Sequence, residues 1–126
     1  MTLETPPRAT PLKPTVESDD TPGCLDIRRG RILRAEAEPT APKAAYRLTI
    51  DFGKSSVKTS VGRFTQQTPE HLAGQQVVGI LSLPPRLVGD VPSEVLVLGV
   101  QAPGADSGEA AALTPLMPVK LGSEVL

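Results

Sequence analysis

Tyr46-Arg47-Leu48-Thr49-Ile50-Asp51 alternates apolar and polar side chains without a break. Successive side chains of an extended chain point to opposite faces, so this stretch reads as a strand with one buried and one solvated face. Val57, Thr59 and Val61 continue the same period. Upstream, Leu25, Ile27, Ile32 and Leu33 lie in a basic segment that reads as a long, bent strand with a break at Gly30, where a glycine suits a bulge. Downstream, Thr68-Pro69-Glu70-His71-Leu72-Ala73-Gly74 places a capping hydroxyl before a proline, a carboxylate in the first turn and a glycine at the end. These are the start and stop signals of a very short helix. Residues 76–83 and 94–100 are strongly aliphatic, bounded by Pro84-Pro85 and by a glycine-rich stretch, and read as two further strands. Residues 110–126 are apolar but interrupted by Pro115 and Pro118, which predicts an irregular end.

The order of three strands, a short helix and two strands predicts an all-β fold, a five-stranded Greek-key barrel of the OB type with the helix between strands 3 and 4. Periodicity alone also admits a small antiparallel sandwich. The chain of 126 residues, 39% hydrophobic and only 2% aromatic, has material for one modest core and one domain. Fourteen prolines and eleven glycines exclude a helical bundle or coiled coil. Residues 1–23 hold five of those prolines, few apolar side chains and no periodicity, so they are expected to form a disordered tail, with the domain over 24–126. Pro11 and Pro14 make a P-x-x-P match that such tails carry commonly.

Chemistry is sparse. Cys24 is the single cysteine and His71 the single histidine, which leaves no disulfide framework, no metal-ligand cluster and no cofactor to expect. The serines lack a base with an acidic orienter, and glycine-rich phosphate loops are absent, so no enzyme is expected. The cysteine usage, the lack of a signal-like start and the lack of a long apolar run predict a soluble cytoplasmic protein. A net charge of -1 excludes polybasic coating of nucleic acid. The charge is nevertheless unevenly placed: residues 24–63 carry nine basic and four acidic side chains, the rest of the domain two basic and six acidic. One barrel face is thereby basic enough to track a phosphate backbone, although arginines on strands also guard sheet edges. Tyr46, Phe52 and Phe64 are the only aromatics, too few for single-strand stacking platforms, which favours folded RNA recognised by backbone and shape.

Leu25-Asp26-Ile27-Arg28 with Gly30 and Ile32, Leu48-Thr49-Ile50-Asp51-Phe52-Gly53, Gln76-Val77-Val78, and Pro84-Pro85-Arg86 with Gly89 and Ser93-Glu94-Val95-Leu96-Val97-Leu98-Gly99 occur in this order. Together they resemble the CsaA family, export-related chaperones with a tRNA-binding OB domain. The resemblance implies a homodimer in which extensions of the barrel build the interface. Leu113, Leu116, Met117, Val119 and Leu121 supply an apolar tail that such an interface would bury; folding of the tail over its own barrel end is the alternative. The family's Lys-x-Ser-Ser-Ala-Gln-Ile-Thr segment stands here as Lys58-Thr59-Ser60-Val61-Gly62-Arg63-Phe64-Thr65, with Arg63 in place of the glutamine, and Ser82 replaces an asparagine. These departures weaken an unchanged base contact more than they weaken backbone binding.

The expected function is therefore a nonenzymatic, dimeric tRNA-binding protein with chaperone activity toward exported polypeptides. Lys58, Arg63 and Arg86 are expected to neutralise phosphates and Ser60 and Ser93 to bond backbone or ribose, while Glu94 accepts from a base or orients Arg86. The rival reading is a chaperone that binds unfolded preproteins through apolar pockets and contacts the secretion machinery, with little RNA affinity. A third is an auxiliary subunit delivering tRNA to a synthetase.

Overall fold

The computed structural model describes residues 12–15, 25–106 and 108–126. Residues 12–15 are exposed and without regular structure, and the rest of the expected disordered tail, with Cys24, lies outside the described residues. Five strands make one antiparallel sheet: β1 (Ile27–Ala37), β2 (Tyr46–Asp51), β3 (Val57–Gly62), β4 (Gln76–Ile80) and β7 (Leu96–Val97), in the order β3-β2-β1-β4-β7. Two short hairpins complete it, β5 (Arg86–Val88) with β6 (Val91–Ser93) and β8 (Gly99–Gln101) with β9 (Ala110–Ala112). The sheet curls into a nearly closed barrel of the expected OB type, with helix α1 (Pro69–Leu72) between β3 and β4, so the sandwich alternative falls away.

Strand β1 makes the barrel possible because both of its halves are used. Ile27 to Arg31 pair with β4, and Arg31 to Ala37 pair with β2. The ladder to β2 shifts register between Ile32 and Arg34, leaving Leu33 as the extra residue. The bulge thus sits at Leu33, and the expected break at Gly30 is corrected: the strand runs through Gly30 unbroken. Glycine is required there by packing. A Cβ on Gly30 would lie 2.6 Å from Ile50 Cγ2 and 2.7 Å from Phe52 Cε1, and one on Gly79 would lie 3.1 Å from Phe52 Cζ. The Phe52 ring, fully buried, is pressed against β1 and β4 where both lack side chains. Ile32, Leu48, Ile50, Val77, Val95 and Val97 pack with it, and Leu72 of α1 joins the same core. Thr68 caps α1 as its hydroxyl oxygen accepts the His71 N–H at 3.2 Å, followed by Pro69.

Several boundaries differ from expectation. The fourth strand stops at Ile80 instead of reaching residue 83. The stretch expected as one strand over 94–100 is split around Leu98 into β7 and β8, and β9 occupies the start of the stretch expected to be irregular. Beyond β9 the chain runs back along β1: Arg29 N–H donates to the Ser123 carbonyl, Gly122 N–H to the Arg29 carbonyl and Val125 N–H to the Ile27 carbonyl, at 2.9 Å each. The end of the chain is thereby docked on its own barrel by backbone bonds, while Leu116, Met117, Val125 and Leu126 stay largely exposed.

Candidate nucleic-acid interface

A groove of about 380 Å3 opens on the barrel side where the β1–β2 loop faces the β5–β6 hairpin. Val61 and Phe64 with Leu96 and Val97 supply its apolar lining, while Lys43 stands on the loop wall, Arg86 on the hairpin wall and Arg63 beside them. No carboxylate lines it among the described residues.

The two walls are latched together. Thr40 N–H and Oγ1–H both donate to Glu38 Oε2, at 3.1 and 2.6 Å, and Thr40 Oγ1 accepts the Asp90 N–H at 3.0 Å. Gly89, at the hairpin tip with φ of +58°, faces the Thr40 carbonyl so closely that a Cβ would collide with it. Glu38 is nearly buried, and the two Thr40 bonds hold its carboxyl below the ordinary glutamate range, with Arg47 assisting against the opposing effect of burial. The hairpin that carries Arg86 is thus positioned by residues that do not themselves line the groove.

Only some of the residues singled out from the sequence meet here. Arg86 lies exposed on β5 at the groove edge. Lys58 lies on β3 opposite Ile50, about 10 Å along the strand from Val61, and does not line the groove. Ser60 lines the groove but is only 2% exposed, and its hydroxyl is engaged in donating to the Val95 carbonyl at 2.7 Å. Its neighbours act with it. Glu94 Oε1 accepts the Thr59 N–H at 2.9 Å while Glu94 N–H donates to the Thr59 carbonyl at 2.8 Å, and Ser93 Oγ accepts the Val61 N–H at 2.9 Å. Side chains here stand in for a strand ladder along the free edge of β3. Ser93 and Glu94 thereby serve barrel closure, and with Arg86 they also line a smaller adjoining pocket.

Arg63 is also tied into the fold, its Nε donating to the Ala44 carbonyl at 3.1 Å and its guanidinium paired with Glu109 at 3.5 Å. Ion pairs account for much of the basic segment. Arg28 meets Asp26 and Glu124, Arg34 meets Glu36, and Arg47 meets Glu36 and Glu38. Arg29 is buried against Gln76, and burial, followed by the like charge of Arg31, pulls it below the ordinary guanidinium range while Asp51 opposes. Among the described residues Lys13, Arg29, Arg31, Lys43, Lys54, Lys58, Arg86 and Lys120 hold no ion pair. Lys43 was not marked by any sequence motif; only its loop's approach to the hairpin brings it to the site. Phe52 is sealed inside the barrel and offers no stacking surface.

Residues 27–124 match the family model described as "Putative tRNA binding domain". The chain belongs to this tRNA-binding domain family. Within it the chain is of the CsaA type: the crystal structure of chaperone CsaA from Bacillus anthracis str. Ames superimposes with a TM-score of 0.76 at 36% identity, covering 90% of this chain and 100% of that one. The CsaA chaperone protein of Picrophilus torridus superimposes with a TM-score of 0.78 at 27% identity, covering 89% and 100%. The methionine–tRNA ligase of Parabacteroides distasonis is 35% identical over 118 residues, which are 94% of this chain and 17% of the ligase. This tRNA-binding domain therefore corresponds to a small part of the curated ligases it matches. No helix among its described residues is long and apolar enough to cross a membrane.

Proposed function

We propose that this tRNA-binding domain acts without catalysis, holding folded tRNA against the face that contains the groove, with Arg86 and Lys43 as the principal phosphate contacts and Lys58 extending the track. The observation that carries this reading is the acid-free groove whose two walls each present a cation. Phosphate contacts position RNA without reading bases, so affinity is expected to depend steeply on salt and weakly on tRNA sequence. The test is a titration with tRNA at several salt concentrations: Arg86→Ala should lower affinity and flatten the slope of log K against log salt by about 0.9, the value of one phosphate. Unchanged affinity and slope for Arg86→Ala and Lys43→Ala alike would reject this face.

A homodimer is part of the proposal. The support is the run of exposed apolar side chains at Leu113, Leu116, Met117 and Val119, held on the barrel by the bond from the Leu113 N–H to the Leu98 carbonyl and by the Gln76 side chain but uncovered on the outside. A second reading, chaperoning of unfolded exported chains in the cytoplasm, draws on the similarity to proteins named CsaA chaperones. Retention of an unfolded preprotein by the RNA-free chain, insensitive to salt, would favour it.

A further inference from the structure

The groove is more than a stretch of basic surface. We propose that it receives one unpaired nucleotide of the bound RNA, with the base lying in the apolar trough and its flanking phosphates on Lys43 and Arg86. This rests on the tRNA reading and adds a subsite to it.

Two features of the groove select this occupant. Its volume of about 380 Å3 is that of a small-molecule pocket, more space than phosphate contacts along a helix require. Its lining divides chemically as a nucleotide does, apolar along Val61, Phe64 and Leu96 and cationic at the two rims. Bases in an A-form duplex are stacked and inaccessible to such a trough, whereas loops and ends of folded RNA offer bases that can be splayed out. The charge also argues against an exported polypeptide as the occupant. The segment that marks such chains begins with a positively charged region, and here it would meet Lys43 and Arg86 with no carboxylate in the lining among the described residues. A phosphodiester meets the same two groups as charge-assisted hydrogen-bond donors.

The test uses the full chain freed of nucleic acid. Amide NMR spectra are recorded during titration with UMP and AMP, and separately with uridine, inorganic phosphate and an apolar peptide, and tRNA affinity is measured in parallel. A mononucleotide is expected to shift the amides of residues 43–45, 61–63 and 96–99, to be displaced by tRNA, and to bind about tenfold more tightly than uridine, reflecting one charge-assisted phosphate contact. Leu96→Glu, at a half-exposed position, should abolish those shifts and weaken tRNA about tenfold by placing a like charge beside the phosphate. Lys43→Gln should weaken the mononucleotide but not uridine. If tRNA binds with a steep salt slope while mononucleotides leave the groove amides unmoved and Leu96→Glu binds tRNA as the parent does, the subsite is wrong and the tRNA reading stands. If tRNA does not bind at all, the tRNA reading itself fails. Groove shifts caused by the peptide and not by nucleotides would overturn the proposal in favour of a polypeptide site.

Discussion

Ser60 illustrates how a single side chain changes meaning once its surroundings are known. In the sequence it is a hydroxyl within a basic strand, and a hydroxyl there suits a phosphate or ribose. In the structure it is the inward member of a clasp, its hydroxyl on the Val95 carbonyl beside the paired bonds of Thr59 with Glu94 and of Val61 with Ser93. Ser60→Ala should therefore destabilise the fold by about 1–3 kcal/mol, the cost of leaving the Val95 carbonyl with only the long Ser93 hydroxyl contact at 3.5 Å. Denaturant unfolding measures that loss, and tRNA affinity of the folded variant should stay within twofold of the parent. A variant that unfolds like the parent but binds tRNA poorly would restore Ser60 to the interface. Gly30 makes the same point for backbone: glycine was legible as special, but whether it bends a strand or admits a ring depends on Phe52, 22 positions further along the chain.

At the scale of elements, the β5–β6 hairpin is the part most dependent on context. Its strands are three residues each, contain Pro92, and carry no period strong enough to be read beforehand. What holds it is the latch from Thr40 to Glu38, Asp90 and Gly89. Thr40→Val keeps the shape and removes the hydroxyl, so the Glu38 carboxyl should titrate closer to the ordinary glutamate value and Arg86 should lose its fixed placement. Affinity for tRNA should fall by about three- to tenfold, in line with the loss of preorganisation at one charge-assisted contact, although Thr40 does not line the groove. The pH dependence follows from the direction of the shift. A carboxyl held below its ordinary value contributes stability that is present above the ordinary glutamate pKa and disappears as pH falls through the lower, folded value. The parent latch should thus hold throughout the neutral range and weaken only in acid below the ordinary glutamate range. Side-chain carboxyl shifts in an NMR pH titration read this directly, and a Glu38 titration unchanged by Thr40→Val would remove the latch from the account.

For the whole molecule, the unresolved balance lies on the outside of the docked chain end. Leu116 and Met117 are exposed in the protomer although the backbone around them is fastened to β1 and to Gln76. The double substitution Leu116→Glu and Met117→Glu should leave the barrel folded and shift a dimer to monomer at micromolar concentration, because two carboxylates in an apolar interface core have no partner. Sedimentation velocity decides, and a parent protein that is already monomeric would refute the dimer. The sequence by itself determined the parts set by local chemistry. Strict alternation from Tyr46 to Asp51 identified a half-buried strand, and Thr68-Pro69 with Gly74 identified a one-turn helix, since side-chain period, capping and φ preference act between near neighbours. Blocks such as 84–86 and 93–99 carried the family resemblance in the same linear way. Tertiary structure alone decided which basic residues remain available, because ion pairing joins residues as distant as Arg28 and Glu124. It also decided which polar side chains close the barrel and that Lys43 faces Arg86 across a groove. Charge and hydroxyl content are written along the chain, but their use depends on neighbours brought together by folding, and that distance relation has no period to read.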